Sequence, residues 1–287
     1  MDLEVRVPAT VANLGPGFDC LGVAIGLYLQ VRVTESSENE IAGKGRIRSV
    51  DDSLIFTSWH TAFEETKSAA PKVKIEVVES YPSARGMGAS ASAIVAGLVA
   101  ARAAGDLPLK DSALAKLAVK IEGHGDNVLP ALFGGLVLTA PSGWLRYEPT
   151  PALTPLILVA RERLRTEKAR GVLPTQVRLS DAVANAASVA ALVEVLSGRG
   201  PVDSLMTATE DRLHQPYRFP LMPESSELHR NLRDIGVPTA LAGAGPSLIC
   251  LVKTEELESI KTKVDEFLPD GWSSESPSWD LTGAQVR

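Results

Sequence analysis

An apolar, alternating run at Val73–Val78 is followed by Pro82-Ser83-Ala84-Arg85-Gly86-Met87-Gly88-Ala89-Ser90-Ala91-Ser92-Ala93, and then by a run of small residues. That order predicts a strand, a glycine turn and a helix over about 90–104. Glycines 86 and 88 can take backbone angles closed to other residues and let a ligand approach the main chain. The helix start offers unpaired N–H groups and the positive end of a dipole, which suits an anion such as phosphate. Turns of this kind also serve only to pack a helix on a sheet, so the meaning of this one depends on the rest of the chain.

The 287 residues suffice for one large domain or two medium ones, and 45% apolar with 22% charged residues is an ordinary globular composition. A net charge of −6 opposes a general nucleic-acid binder. Cys20 and Cys250 sit in apolar surroundings and read as reduced, buried thiols, and no Cys/His cluster has zinc-ligand spacing. Met1-Asp2-Leu3-Glu4 opens a charged alternating strand rather than an export signal, and stretches such as Ala93–Ala101 are short of a membrane span. The expectation is a soluble cytoplasmic protein with neither membrane nor nucleic acid as partner.

Strands are expected at Leu3–Val7, stopping at Pro8, and at Leu27–Thr34, with a helix at Ser53–Lys67 capped by Ser53. Helices at Asp111–Ile121 and Asn127–Phe133 precede a hairpin of Leu136–Ala140 and Leu145–Glu148. The Pro/Thr-rich stretch 148–155 marks a boundary between domains 1–150 and 151–287. Beyond it a strand at Leu156–Ala160 leads to helices near Glu167–Leu173, Asp181–Leu196, Ser204–Leu213 and Pro223–Ile235. Two short strands around 239–241 and 248–252, a helix at Glu255–Phe267 and a Ser/Trp-rich strand region complete the pattern. Strands interrupted by runs of helices indicate two α+β domains.

Three further motifs give the glycine turn its context: Pro8-Ala-Thr-Val-Ala-Asn-Leu-Gly-Pro-Gly-Phe-Asp-Cys-Leu-Gly22, Glu122-Gly-His-Gly-Asp-Asn-Val-Leu-Pro-Ala-Leu-Phe-Gly-Gly135, and Leu241-Ala-Gly-Ala-Gly-Pro-Ser-Leu248. In this order they resemble the GHMP small-molecule kinases, and the first and third are similar to the homoserine kinase family in particular. The resemblance implies an N-terminal domain like ribosomal protein S5 domain 2, a C-terminal ferredoxin-like domain and a homodimer. It implies phosphorylation of L-homoserine by ATP, with magnesium, on the route to threonine.

The nucleotide is then expected at Pro82, Ser83, Arg85, Gly86, Met87, Gly88, Ala89, Ser90, Ala91 and Ser92, a loop that lacks the Gly-Lys-Ser/Thr of Walker-type sites. A hydroxy-amino acid needs an acid for its ammonium, cationic forks for its carboxylate and a polar group to align its hydroxyl. The resemblance assigns Asn13 and Asp19 to the ammonium, Thr166, Arg170 and Arg218 to the carboxylate, and places His124 at the substrate. Asn127 or Asp126 would align the hydroxyl as the catalytic group. Each has a plainer alternative: turn formers at 13 and 19, a helix cap at Asp126, solvated charges at the arginines. Gly243-Ala-Gly245 is equally a strand-packing turn or a part of the site.

The chain departs from the family pattern at several positions. Ala89 replaces the first of two serines, and Lys116 stands where a magnesium-holding glutamate is usual; Gly125 and Ala242 replace a proline and a serine. Ser90, with Glu122 as substitute, is the expected metal-binding pair. These departures leave open a weakened paralogue that binds nucleotide or amino acid without turnover, and a related kinase for another small alcohol.

Overall fold

Alternating apolar residues build the first sheet. β1 (Asp2–Ala12) and β2 (Leu21–Glu35) pair antiparallel from Asp2↔Thr34 to Ala12↔Gly22, burying Val5, Val7, Ala9 and Val11. The computed structural model describes residues 1–44 and 49–287. β3 (Glu40–Gly43), α1 (Leu54–Glu65) and β4 (Val73–Glu79) follow, β4 lying antiparallel to β2 and parallel to β3. Next come α2 (Ala89–Gly105), α3 (Asp111–Glu122), α4 (Val128–Phe133) and the hairpin β5 (Leu136–Ala140)–β6 (Gly143–Tyr147), with β5 paired to β2. Phe56, Trp59, Ile94, Leu98 and Leu114 from α1, α2 and α3 share one core with Val5, Val7, Val31 and Val33. Helices α1 and α2 approach closely at Gly97, where a Cβ would stand 2.2 Å from the Ile55 carbonyl oxygen.

The second sheet comprises β7 (Leu153–Val159), β8 (Thr239–Leu241), β9 (Leu248–Lys253) and β10 (Ser273–Glu275). Between β7 and β8 run α5 (Thr166–Gly171), α6 (Leu179–Leu196), α7 (Leu205–Ala208), α8 (Gln215–Arg218) and α9 (Pro223–Asp234), and α10 (Leu257–Asp265) joins β9 to β10. The antiparallel order β10-β7-β9-β8 with helical crossovers is the ferredoxin-like βαββαβ arrangement. Leu156, Leu158, Leu248 and Cys250 pack against Leu228, Leu232 and Val264 of the helices. Ile157, Val159, Ile249 and Leu251 face the other way, onto Ala9, Val11, Leu21 and Val23 of the first sheet. Burial on both faces is why these strands read as unbroken apolar runs. The whole is the α+β architecture expected from the sequence.

The chain finally returns to the first sheet. Trp279 bridges Ile25, Ser278 and Asp280 bond the backbone of Gly26 and Ala24, and β11 (Gln285–Val286) pairs with β1.

Four local expectations are corrected. β1 does not stop at Pro8, because the pairing register shifts between Pro8 and Ala9 and absorbs the imino residue. β2 begins at Leu21, six residues earlier than expected, since Gly22 and Gly26 sit where the Asp126 carbonyl and Ser278 press against it. Ser53 occupies the N-cap position of α1 without a side-chain cap bond. The helix expected over 204–213 ends at Ala208: the Asp211 carboxylate accepts the N–H groups of Leu213, His214 and Gln215 and starts α8 instead.

The two sheets also meet through glycine backbone. Gly86, at φ +86°, leaves no room for a side chain, because its Cβ would lie 1.9 Å from the Ala242 carbonyl oxygen. Gly86→Ala is therefore expected to lower unfolding free energy by about 2–4 kcal/mol, through positive φ and backbone overlap together. Urea unfolding measures it.

Candidate active site

The loop between β1 and β2 is wound tightly, with Asn13, Gly15 and Asp19 at φ 55°, 51° and 55°. Short polar side chains tolerate this region best. The Asn13 Oδ1 accepts the Asp19 N–H at 2.9 Å, fixing where the carboxylate emerges. That carboxylate accepts both terminal nitrogens of Arg170, each at 2.7 Å. The expected acid and one of the expected cations therefore meet, and they engage each other as a fork.

Arg218 is buried. It donates to the carbonyls of Ala169 and Gly243 and to His214 Nδ1, leaving Nη2 without a protein partner among the described residues. Burial, and next to it Arg170, hold its pKa down to about 10. The guanidinium carbons of Arg170 and Arg218 lie 5.5 and 5.2 Å from the centroid of the Phe18 ring. The expected pair of arginines is thus assembled around one aromatic residue. Neither is a free bidentate fork, since Asp19 occupies one and the backbone much of the other. Thr166 is exposed at the start of α5.

An arginine can only donate, so His214 Nδ1 must be unprotonated, and Nε2–H then donates to the Gly15 carbonyl at 2.7 Å. Burial pushes His214 below its ordinary pKa, consistent with that neutral tautomer. Sequence reasoning gave no role to Phe18, Asp211 or His214. The i, i+4 spacing of His214 and Arg218 was the available signal.

His124 Nδ1 lies 2.5 Å from Asp126 Oδ1, and this carboxylate raises the histidine pKa. Asp126 is fully buried, makes no helix cap, and leaves Oδ2 without a hydrogen-bond partner. Its neighbour Asn127 accepts the Thr10 hydroxyl at 2.8 Å through Oδ1. Gly88, at φ 64°, opens α2 directly against both: a Cβ there would meet Thr10 Oγ1 at 2.0 Å and Asn127 Oδ1 at 2.8 Å. The glycine turn is therefore bound to the proposed hydroxyl-aligning residue as well as to the second sheet.

Around this turn the expected nucleotide residues divide. Ser90 is exposed and donates to Glu122 Oε1 at 2.6 Å, while burial raises the Glu122 pKa. Arg85 donates to the Arg161 carbonyl through Nη2, and its buried Nε has no partner. Burial, and then Arg163, lower its pKa, which brings a further cation to the loop from the second domain. Pro82, Ser83, Gly86 and Ala89 line the loop with partial or full exposure. Met87 and Ala91 are buried and can offer only backbone. Ser92 is a correction: its hydroxyl donates to the Pro8 carbonyl and meets Tyr81, and its N–H is used within α2, so nothing remains for a ligand.

Among the described residues no group of three or more His, Cys, Asp or Glu forms a metal cage. Ser90 and Glu122 nevertheless place two oxygen donors at the head of α2, suited to an ion that keeps several waters and takes its other ligands from phosphate. Lys116 is exposed on α3. Burial holds the Cys250 thiol up at about 12, as expected of an inert core residue; Cys20 is only partly buried, against expectation, and is held at about 11.

Models of the GHMP kinases' N-terminal and C-terminal domains match residues 53–135 and 188–270. The homoserine kinase of Streptomyces avermitilis is 43% identical over 296 residues, covering 99% of this chain and 95% of that protein. That of Synechococcus sp. is 38% identical, covering 100% and 94%. The crystal structure of homoserine kinase from Cytophaga hutchinsonii superposes with a TM-score of 0.88 at 25% identity, covering 100% of this chain and 97% of that one. A mevalonate kinase structure, at TM-score 0.71 and 15% identity, shares the fold.

Because burial lowers the pKa of His214, and that of His229 to about 4, both resist protonation in the folded state. The stability these two histidines contribute is then full above the unfolded value of about 6.5 and declines as pH falls below it, while His124, whose pKa Asp126 raises, acts in the opposite sense. Thermal melts from pH 7 to 5 should show this decline, and His214→Asn and His229→Asn should each flatten it.

Proposed function

The chain belongs to the GHMP kinase family, and we infer that the protein is a homoserine kinase, transferring the terminal phosphoryl group of ATP to the side-chain hydroxyl of L-homoserine. One observation carries this: an acid, two guanidinium groups and a buried, unpartnered carboxylate oxygen converge beside a glycine-opened helix N-terminus. A zwitterion bearing a hydroxyl matches that set.

Asp19 receives the ammonium, with Asn13 fixing the Asp19 backbone. Arg170 and the open edge of Arg218 receive the carboxylate, the two guanidinium carbons standing 5.5 and 5.2 Å from the Phe18 ring centroid. Thr166 and His124 border the same ligand. Asn127, held by Thr10, aligns the hydroxyl, whose proton passes to a phosphate oxygen, while Asp126, enclosed beside it, holds His124 in place. The hydroxyl oxygen then attacks the terminal phosphorus as the bond to the bridging oxygen breaks and ADP departs. Such transfer needs mainly in-line positioning and charge neutralisation, and positioning alone can be worth effective molarities on the order of 10⁵ M or more. The first-turn N–H groups of α2 and the Arg85 guanidinium face the phosphates.

Magnesium, held by Ser90 and Glu122, would neutralise phosphate charge. Glu122 beside Ser90 answers the loss of a glutamate at position 116 and favours turnover over a binding-only role. We further place the reaction in threonine biosynthesis in the cytoplasm, and assign domains 1–150 and 151–287, with the tail strapped back to the first. A homodimer is supported by the stripe on α6, where Leu179 and Val183 are 80% and 61% exposed. By length and apolarity α6 could cross a membrane, but its Asn185 is buried and bonded to the Pro16 carbonyl and Asp211.

Incubation with ATP, magnesium and L-homoserine should yield O-phospho-L-homoserine; saturable binding without product would favour the weakened paralogue. In the same assay Arg218→Lys should raise the homoserine KM roughly ten- to hundredfold, about 1.4–2.8 kcal/mol, with little change for ATP. Glu122→Gln should raise the magnesium concentration needed for half-maximal rate, read from a metal titration at fixed ATP.

A further inference from the structure

We propose that the Asp19–Arg170 ion pair is the site's internal substitute for the amino-acid zwitterion, and that substrate binds by exchanging partners with it. The ligand ammonium takes Asp19 as the ligand carboxylate takes Arg170. This rests on the protein being a homoserine kinase and adds how that site selects its substrate.

The geometry is specific. Both carboxylate oxygens of Asp19 accept from Arg170 at 2.7 Å, so neither group is waiting as a free receptor. Their side chains are 34% and 41% exposed, which leaves one side of the pair open to an incoming molecule. The partners come from different sheets' loops: Asp19 from the wound β1–β2 turn, Arg170 from α5. Arg218 also lies against Phe18, 5.2 Å from its ring centroid, with Nη2 uncommitted, so a carboxylate placed on Arg170 finds a second donor. Among the described residues the charges around this pair include Asp126 and His124, which already engage each other, and Arg218, with Asp211 behind it.

A zwitterion brings one positive and one negative charge, breaks one ion pair and forms two, leaving the net charge of the site unchanged. A ligand with only a carboxylate must displace Asp19 from Arg170 and leaves that acid uncompensated beside its own like charge. A ligand with only an ammonium strands Arg170 next to Arg218 with no acid between them. Either half-ligand is therefore penalised twice, once for the contact it lacks and once for the protein charge it strands. Selection reads both charges of the amino acid together.

Removing one partner should then improve binding of the ligand that needs only the other. Calorimetric titration is expected to show 4-hydroxybutyrate binding Asp19→Asn about two- to fivefold more tightly than wild type, the range set by a partly exposed ion pair. Likewise 3-aminopropan-1-ol should bind Arg170→Gln more tightly by a similar factor, while L-homoserine binds both variants less tightly. Equal or weaker binding of each half-ligand to its freed variant overturns the proposal. A thermal-melt cycle on ligand-free wild type, both single variants and the double variant separates the pair itself from like-charge repulsion. Non-additive Tm changes support the exchange, and strictly additive ones overturn it. Homoserine turnover by the wild type, measured alongside, reports on the kinase assignment separately: turnover without any gain for the half-ligands ends the exchange and spares the kinase.

Discussion

The contact on which the molecule depends is backbone against backbone. Gly86 of the turn before α2 lies on the Ala242 carbonyl, and Gly243 returns the contact, its own Cβ position 2.7 Å from the Gly86 carbonyl oxygen. Neither side tolerates a side chain, and the Gly243 N–H reaches the Ala12 carbonyl at 3.0 Å at the end of β1. Two sheets that could have been independent are thereby locked beside the proposed site. The same lock brings Gly243 within reach of Arg218 and sets Gly88 against Thr10 and Asn127. Packing and catalysis were offered by the sequence as rival explanations of the 241–248 turn; its packing is what positions the site.

Around this lock the electrostatics are arranged by burial. Arg218 is fixed deep in the fold by carbonyls and a neutral histidine, a costly placement that is repaid only if its charge is used. Arg170 and Asp19 sit nearer water and keep each other company. Asp126 is the opposite case, a buried carboxylate with one oxygen committed to His124 and the other uncommitted.

Much of this was legible in the sequence. The glycine turn and the small-residue helix after it follow from turn chemistry and helix periodicity, which are local properties, whereas the grouping of residues 13, 19, 124, 126, 127, 170 and 218 came only from the resemblance to the GHMP kinases. What was not legible depends on distant partners. The Asp19–Arg170 fork joins positions 151 apart. The truncation of the 204–213 helix needs Asp211 to prefer backbone N–H groups over a helical turn. Ser92 looks like its neighbour Ser90 in the motif, yet helix phase turns it inward onto Pro8. Phe18 reads as an ordinary apolar residue until two guanidinium groups are seen to share its ring.

The returning tail has a consequence for how the chain is made. β1 is flanked by β2 on one side and on the other by β11, whose Val286 lies opposite Val5. During synthesis the first sheet therefore keeps an open edge while the second sheet is still being translated, and that edge closes only when β11 arrives. Such a long-range pairing slows assembly and leaves a strand edge available to wrong partners in the interval.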